Sequence, residues 1–174
     1  MKSDYYSMKS DYTMEDTIMK QSIRLRQDTD RFNSLYKEMD DIYHDIAFSL
    51  GLSDSAFVIL YFISILGDGC LQKDICEVAY ISKQTINSSI KRLQQQGIIH
   101  LSAGKRRDMH IHLTPQGQKL VSEKILPVLA MENRVFETFT PQESQLLISL
   151  TEKYIKNLAI EATVLLQKQE GYDL

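Results

Sequence analysis

The sequence predicts a mainly helical α+β protein with one small β-hairpin, and three observations carry that prediction. Apolar residues recur at three- and four-residue steps over most of the 174 positions, the period of amphipathic helices. Between Ile99 and Leu113 the step shortens to two, the period of half-buried strands. Between these patterns stand the breaks that separate elements: Gly67-Asp68-Gly69, Gly97, Thr114-Pro115 and Thr140-Pro141.

The elements follow in order. Residues 1–14 hold a duplication, Met1-Lys2-Ser3-Asp4-Tyr5 recurring as Met8-Lys9-Ser10-Asp11-Tyr12, and read as a loosely ordered arm. From about Met14 to Ser49 a helical seam runs through Ile18, Leu25, Phe32, Leu35, Met39, Ile42, Ile46 and Leu50, and an apolar seam that long calls for a partner helix. A break near Asp28 to Asp30 is expected, because short polar side chains compete there with the backbone. Leu52 to Leu66 is a second helix, opened by Ser53 or Asp54 and apolar nearly all round, which places it in the middle of the fold.

Leu71 to Ala79 gives a short helix with Ile75 and Val78 or Ala79 inward, and Tyr80-Ile81 link it tightly to Ser82. Ser82 is a natural N-cap for the next helix, which buries Ile86, Ile90 and Leu93 and ends at Gly97. Ile99, Leu101, Met109, Ile111 and Leu113 alternate with His100, Ser102, His110 and His112 as two strands around the turn Ala103 to Asp108. Thr114 caps a helix with Pro115 first, running to about Phe136, and Pro127 should bend it. Thr140 and Glu143 form a capping-box pattern before the last helix, whose stripe is Leu147, Leu150, Tyr154, Leu158, Ala162 and Leu165.

Charge marks one stretch off from the rest. Residues 82–107 hold Lys83, Lys91, Arg92, Lys105, Arg106 and Arg107 and no Asp or Glu, a charge of +6 in a chain of −3 overall. The remainder therefore carries −9, and a basic island on an acidic protein suits a surface that meets a polyanion. Lys83, Gln84, Asn87, Ser88, Lys91 and Gln95 fall on the solvent face of the 82–97 helix, opposite its apolar stripe. Gln and Asn side chains can bond the N6/N7 edge of adenine, and Lys suits phosphate. A short helix, a tight link, an acid-free helix and a basic hairpin in succession read as a helix-turn-helix followed by a wing, with Arg available for phosphates or a narrow minor groove.

The run LQKDICEVAYISKQTINSSIKRLQQQGII and, after the hairpin, HLTPQGQKL resemble the winged-helix DNA-binding domain of the MarR family of bacterial transcriptional regulators. The resemblance covers about Ile42 to Gln169. It implies a double-stranded-DNA-binding regulator, with Ser82, Lys83, Gln84, Thr85, Asn87, Ser88, Lys91, Arg92, Lys105, Arg106 and Arg107 at the DNA. The family wing carries Asp-x-Arg, with the Arg reaching DNA and the Asp bracing it. Here the matching positions are Lys105-Arg106-Arg107, so Arg107 keeps the arginine place, the brace position is a lysine, and Asp108 is the nearest carboxylate. The resemblance also implies small aromatic or phenolic effectors, for which Tyr43, Phe48, Phe57 and Tyr61 are candidate lining residues.

The expected organisation is an arm at 1–14, an N-terminal dimerisation helix at 15–50, a winged helix-turn-helix at 51–114 and C-terminal dimerisation helices at 115–174. The partners expected are double-stranded DNA, a second copy of the chain and a small aromatic effector, with the response a release of an operator by a repressor. No Gly-rich phosphate loop, HExxH, nucleophile elbow or CxxC is present, so no enzyme and no cofactor is expected. No stretch approaches the roughly 20 apolar residues of a membrane span and no hydrophobic leader opens the chain, so a cytoplasmic protein is expected. Alternatives remain: a dimeric winged-helix module for protein contacts, or a regulator responding to thiol oxidation through Cys70 and Cys76 or to a metal through His100, His110 and His112. Surface histidines and buried cysteines are the plainer accounts of those two sets, and no metal is expected.

Overall fold

The computed structural model describes residues 25–79, 81–104 and 108–170. The duplicated MKSDY start lies outside them. Two compact units make up the chain, Met1–Asp54 and Ser55–Leu174.

In the first unit the described chain is one helix, α1 (Gln27–Ser49), which runs without a break. Asp28 and Asp30 sit in its first turn, where carboxylates favour the positive end of the helix dipole. They stand at the start of this helix, and the part of the expected seam before Leu25 lies outside the described residues. The end is a Schellman closure: Leu52 N–H donates to Ala47 O at 2.9 Å and Gly51 N–H to Phe48 O at 2.9 Å, with Gly51 at φ +73°. A left-handed residue is what that closure needs, and glycine takes it without a Cβ clash. Leu25, Leu35, Met39 and Ile42 of the predicted seam are exposed.

The second unit starts within α2 (Asp54–Leu66), which follows Ser53 directly. Its Ala56, Phe57, Ile59, Leu60 and Ile63 are buried, so the helix that is apolar all round is the centre of the core. Around it stand α3 (Gln72–Val78) and α4 (Lys83–Gln95), which contribute Ile75, Ile86, Ile90 and Leu93 to that core. Val78 is exposed and Ala79 half-buried, so Ile75 alone anchors the short helix inward.

Strands β1 (Ile99–Ala103) and β2 (Met109–Leu113) form an antiparallel hairpin in the register Ile99↔Leu113 through Ala103↔Met109. The helix after it begins as α5 (Pro115–Leu120), widens to a π turn at Val121–Ile125 and continues as α6 (Leu126–Glu137). Pro127 has no N–H for the carbonyl of Glu123 and its ring crowds that position. The wider turn just ahead of it is how the chain absorbs the proline expected from sequence to bend this helix.

The last helix is α7 (Pro141–Glu170). Thr140 N–H donates to Glu143 Oε2 at 2.8 Å and Glu143 N–H to Thr140 Oγ1 at 3.2 Å, the reciprocal bonds of the predicted capping box. Among its described side chains Leu147, Leu150, Leu158 and Leu165 are all exposed.

Candidate nucleic-acid interface

Helix α4 starts where its sequence says. Ser82 Oγ accepts from Thr85 N–H at 3.1 Å and shares a bond with Thr85 Oγ1 at 2.8 Å, so both hydroxyls are held by the cap. The far end closes like α1: Ile98 N–H donates to Leu93 O at 3.0 Å and Gly97 N–H to Gln94 O at 2.9 Å, with Gly97 at φ +70°. Ile98 and Leu93 are both buried, the apolar contact that accompanies this closure.

Between those ends Lys83, Gln84, Thr85, Ser88, Lys91 and Arg92 are exposed. Among the described residues none pairs a carboxylate with Lys83, Lys91 or Arg92. Ser88 Oγ–H donates to Thr85 O at 2.9 Å, which leaves its oxygen as an outward acceptor. Asn87 is half-buried and not fully on the solvent face, because Gln72 Nε2–H of α3 donates to its Oδ1 at 2.5 Å.

Two further polar contacts brace α4 and the turn that ends it. Ser89, which no motif in the sequence marks, is buried and donates to Ser55 Oγ of α2 at 2.7 Å. At the C-terminal end Thr114 Oγ1–H donates to Gly97 O at 2.6 Å, while Thr114 Oγ1 accepts from Gly117 N–H at 3.1 Å. A Cβ on Gly117 would stand 2.0 Å from Ile98 O. The LTPQG run therefore has a mechanical role: it lets the start of α5 press against the turn that ends α4.

The hairpin is tied down on its other edge by a segment missed in sequence. Gly69 N–H donates to Ile111 O at 2.8 Å, Ile111 N–H donates to Cys70 O at 2.9 Å, and Leu71 bridges to His110. Three residues ahead of α3 thus act as a short third strand, too short to show a period of two. The same contacts correct the reading of the outward histidines. His100 is exposed, but His110 and His112 are half-buried. His110 Nδ1–H donates to Gly69 O at 2.7 Å, and His112 lies between Asp68 at 3.4 Å and Ser102 at 2.9 Å. Their rings hold the wing to the loop before α3.

At the hairpin's far end Gly104 N–H donates to Asp108 O at 2.8 Å, and the Asp108 carboxylate meets Lys73 of α3 at 3.4 Å. Lys105, Arg106 and Arg107 lie outside the described residues.

Residues 50–108 match the model of the MarR family. The MarR family regulator NMB1585 from Neisseria meningitidis is similar at 20% identity, with 79% of this chain and 98% of that one covered and a TM-score of 0.69. The S. aureus MepR–DNA complex is similar at 18% identity, 78% and 99% coverage and a TM-score of 0.60. A MarR family protein from Listeria monocytogenes, complexed with 26mer DNA, is similar at 21% identity, 79% and 92% coverage and a TM-score of 0.60. No curated protein sequence matches the chain.

This is the MarR winged-helix fold. Within it the helix-turn-helix is α3 and α4, the wing is β1 and β2, and the family match takes in both helices and the first strand. No single helix among the described residues is long and apolar enough to cross a membrane.

The aromatic residues singled out for an effector stand in two places in this MarR fold. Tyr43 and Phe48 belong to α1, with Phe48 exposed. Phe57 is buried in α2, and the neighbouring Tyr61 donates its hydroxyl to Glu132 of α6 at 2.7 Å. A separate cleft of about 340 Å³ opens between α3, the start of α4 and the turn end of the wing, lined by Gln72, Lys73, Cys76, Lys83 and Met109 among others. Both cysteines are free and half-buried. Burial, then the nearby carboxylates of Asp74 and Asp68, push the Cys70 thiol up from its ordinary value, so it resists ionising. Among the described residues no three His, Cys, Asp or Glu side chains gather as a metal ion would need.

Proposed function

We propose that this chain is a ligand-responsive repressor that binds a pseudo-palindromic operator as a homodimer. The observation that carries the reading is the exposed face of α4, where Lys83, Lys91 and Arg92 stand among Gln84, Thr85 and Ser88 without a carboxylate on the helix. Long-armed cations and amide or hydroxyl groups on one rigid face suit phosphate and base edges respectively. Asn87 and Ser82 complete the set at the start of the helix, and Lys105, Arg106 and Arg107 supply the wing's cations for phosphates or the minor groove. The S. aureus and Listeria monocytogenes structures, both with DNA, support the same reading.

Dimerisation is supported by apolar surface. Leu147, Leu150, Tyr154, Leu158 and Leu165 lie exposed along α7, and fully burying a Leu is worth about 1.5–3 kcal/mol. A continuous apolar stripe of that length marks an interaction surface, and a second copy of the chain presents a self-matching one. The organisation proposed is the arm at 1–14, dimerisation regions at 15–50 and 115–174, and the DNA-binding domain at 51–114. A twofold pair places two copies of α4 in successive major grooves, about 34 Å apart. A small aromatic effector would favour a spacing that no longer fits, and so release the operator, with Tyr43, Phe48, Phe57 and Tyr61 as its candidate contacts. The working compartment proposed is the cytoplasm.

The test is operator affinity against salt. With roughly four phosphate contacts per protomer, log K against log[salt] should fall with a slope of about −7. A slope near zero would instead favour a module for protein contacts, which release few counterions.

A further inference from the structure

The contact that joins the two helices of the helix-turn-helix carries information about sequence preference. Gln72 is the first residue of α3, and its backbone is held on both sides. Leu71 bridges to His110 of the wing and its N–H donates to the Asp74 carboxylate at 3.3 Å, while Ile75 is fully buried. From that fixed base Gln72 Nε2–H donates to Asn87 Oδ1 at 2.5 Å. Gln72 and Asn87 are both half-buried, so the pair is neither free to swing in solvent nor sealed from a partner.

We propose that Gln72 sets the base preference of Asn87 and turns it from an adenine reader into a reader of guanine. This rests on the reading of α4 as the DNA-facing helix. An Asn that reads adenine needs its oxygen to accept from N6 and its NH2 to donate to N7. Here one of the oxygen's two lone pairs is taken by the Gln72 NH2, so an adenine amino group would have to share the oxygen with a second donor. What the pair still offers is N–H: two on Asn87 Nδ2 and the second hydrogen on Gln72 Nε2. Two adjacent donors match the O6 and N7 acceptors of guanine, the one base with a pair of acceptors on its major-groove edge. Gln72 is therefore a positioning and specificity residue on the helix that is not itself expected to enter the groove.

The experiment is selection of bound duplexes from a random pool by the full-length wild type, Gln72→Met, Gln72→Glu and Asn87→Ala. The wild type should enrich guanine at one position of each half-site, and Asn87→Ala should lose the preference at that position alone. Gln72→Met frees the Asn87 oxygen, so the same position should move to adenine with a change of about tenfold or more in relative affinity. Gln72→Glu makes Asn87 donate to the new carboxylate and leaves its oxygen outward, so that position should favour adenine or cytosine, the bases with an amino donor. Each preference is a ratio within one protein, so a general loss of affinity in the Glu variant does not disturb it. If the wild type and both Gln72 variants enrich the same bases everywhere, the proposal fails while DNA binding stands. If the wild type enriches no sequence, operator binding fails and the proposal with it.

Discussion

Gly117 and Ile98 meet so closely that a Cβ on Gly117 would sit 2.0 Å from the Ile98 carbonyl oxygen and 3.1 Å from its carbon. The obstacle is backbone, in the turn that ends α4, and it is held there by the Thr114 hydroxyl at Gly97 O. Gly117→Ala must therefore push α5 away from α4, at a cost of about 1–3 kcal/mol. A fall in Tm of about 3–10 °C is expected in a chain of this size. Gly104→Ala should cost less, because the atoms its Cβ would meet, at 2.8 Å, belong to the His110 side chain. Thermal unfolding of the two variants side by side checks the order; equal Tm values would show that α5 is not braced in this way.

Ser82, as part of the proposed DNA interface, is expected to separate stability from DNA affinity. It caps α4 through Thr85 N–H, so Ser82→Ala should lose about 1 kcal/mol. Ser82→Asp keeps an acceptor at the cap and adds negative charge at the positive end of the helix, so it should be at least as stable as the wild type. The same charge would face phosphate, and operator affinity should drop about tenfold or more. Tm and fluorescence anisotropy on the same samples decide it, and an Asp variant that binds DNA as tightly as the wild type would take Ser82 out of the interface.

Leu150 and Leu158 lie on the exposed stripe of α7. Charged groups cannot be buried unpaired without a penalty of several kcal/mol, so the double variant Leu150→Glu, Leu158→Glu should convert dimer to monomer at micromolar concentration. Its helix content should be little changed, because neither side chain is buried within the chain. Sedimentation analysis gives the mass, and a variant that keeps the same mass as the wild type would contradict the proposed dimer surface.

Cys70 should be a poor oxidation sensor. Its pKa is raised, by burial first and by Asp74 and Asp68 after that, and the thiolate is the reactive form. In a Cys76→Ser background, alkylation by iodoacetamide at pH 7.5 should be about tenfold or more slower than for an unfolded control. The rate should climb only as pH passes the ordinary thiol range. Alkylation of Cys70 at pH 7.5 as fast as in the unfolded control would contradict this.

What was legible in the residues alone is what neighbours in sequence decide. Ser82 and Thr85, Thr114 and Gly117, Thr140 and Glu143, and the left-handed Gly97 are contacts within one helical turn, so a residue type at a fixed offset announces them. The period of three to four placed Ile86, Ile90 and Leu93 in the core for the same reason, and the period of two placed the strands. The chain's longest acid-free stretch, which holds residues 82–107, needed no structure to be seen.

Tertiary packing decided the rest, because those contacts join residues far apart in sequence and leave no local pattern. Gln72 on Asn87, Leu71 beside His110, His110 on Gly69 O and Gly117 against Ile98 O all depend on how separate elements come together. A histidine two residues from another looks like surface until the loop that follows α2 is folded against it. An asparagine on a polar helix face looks free until the packing of the preceding helix assigns its oxygen a donor. Sequence determined which elements form and which face carries the cations; only the packed structure determined which polar groups on that face remain free to meet a partner.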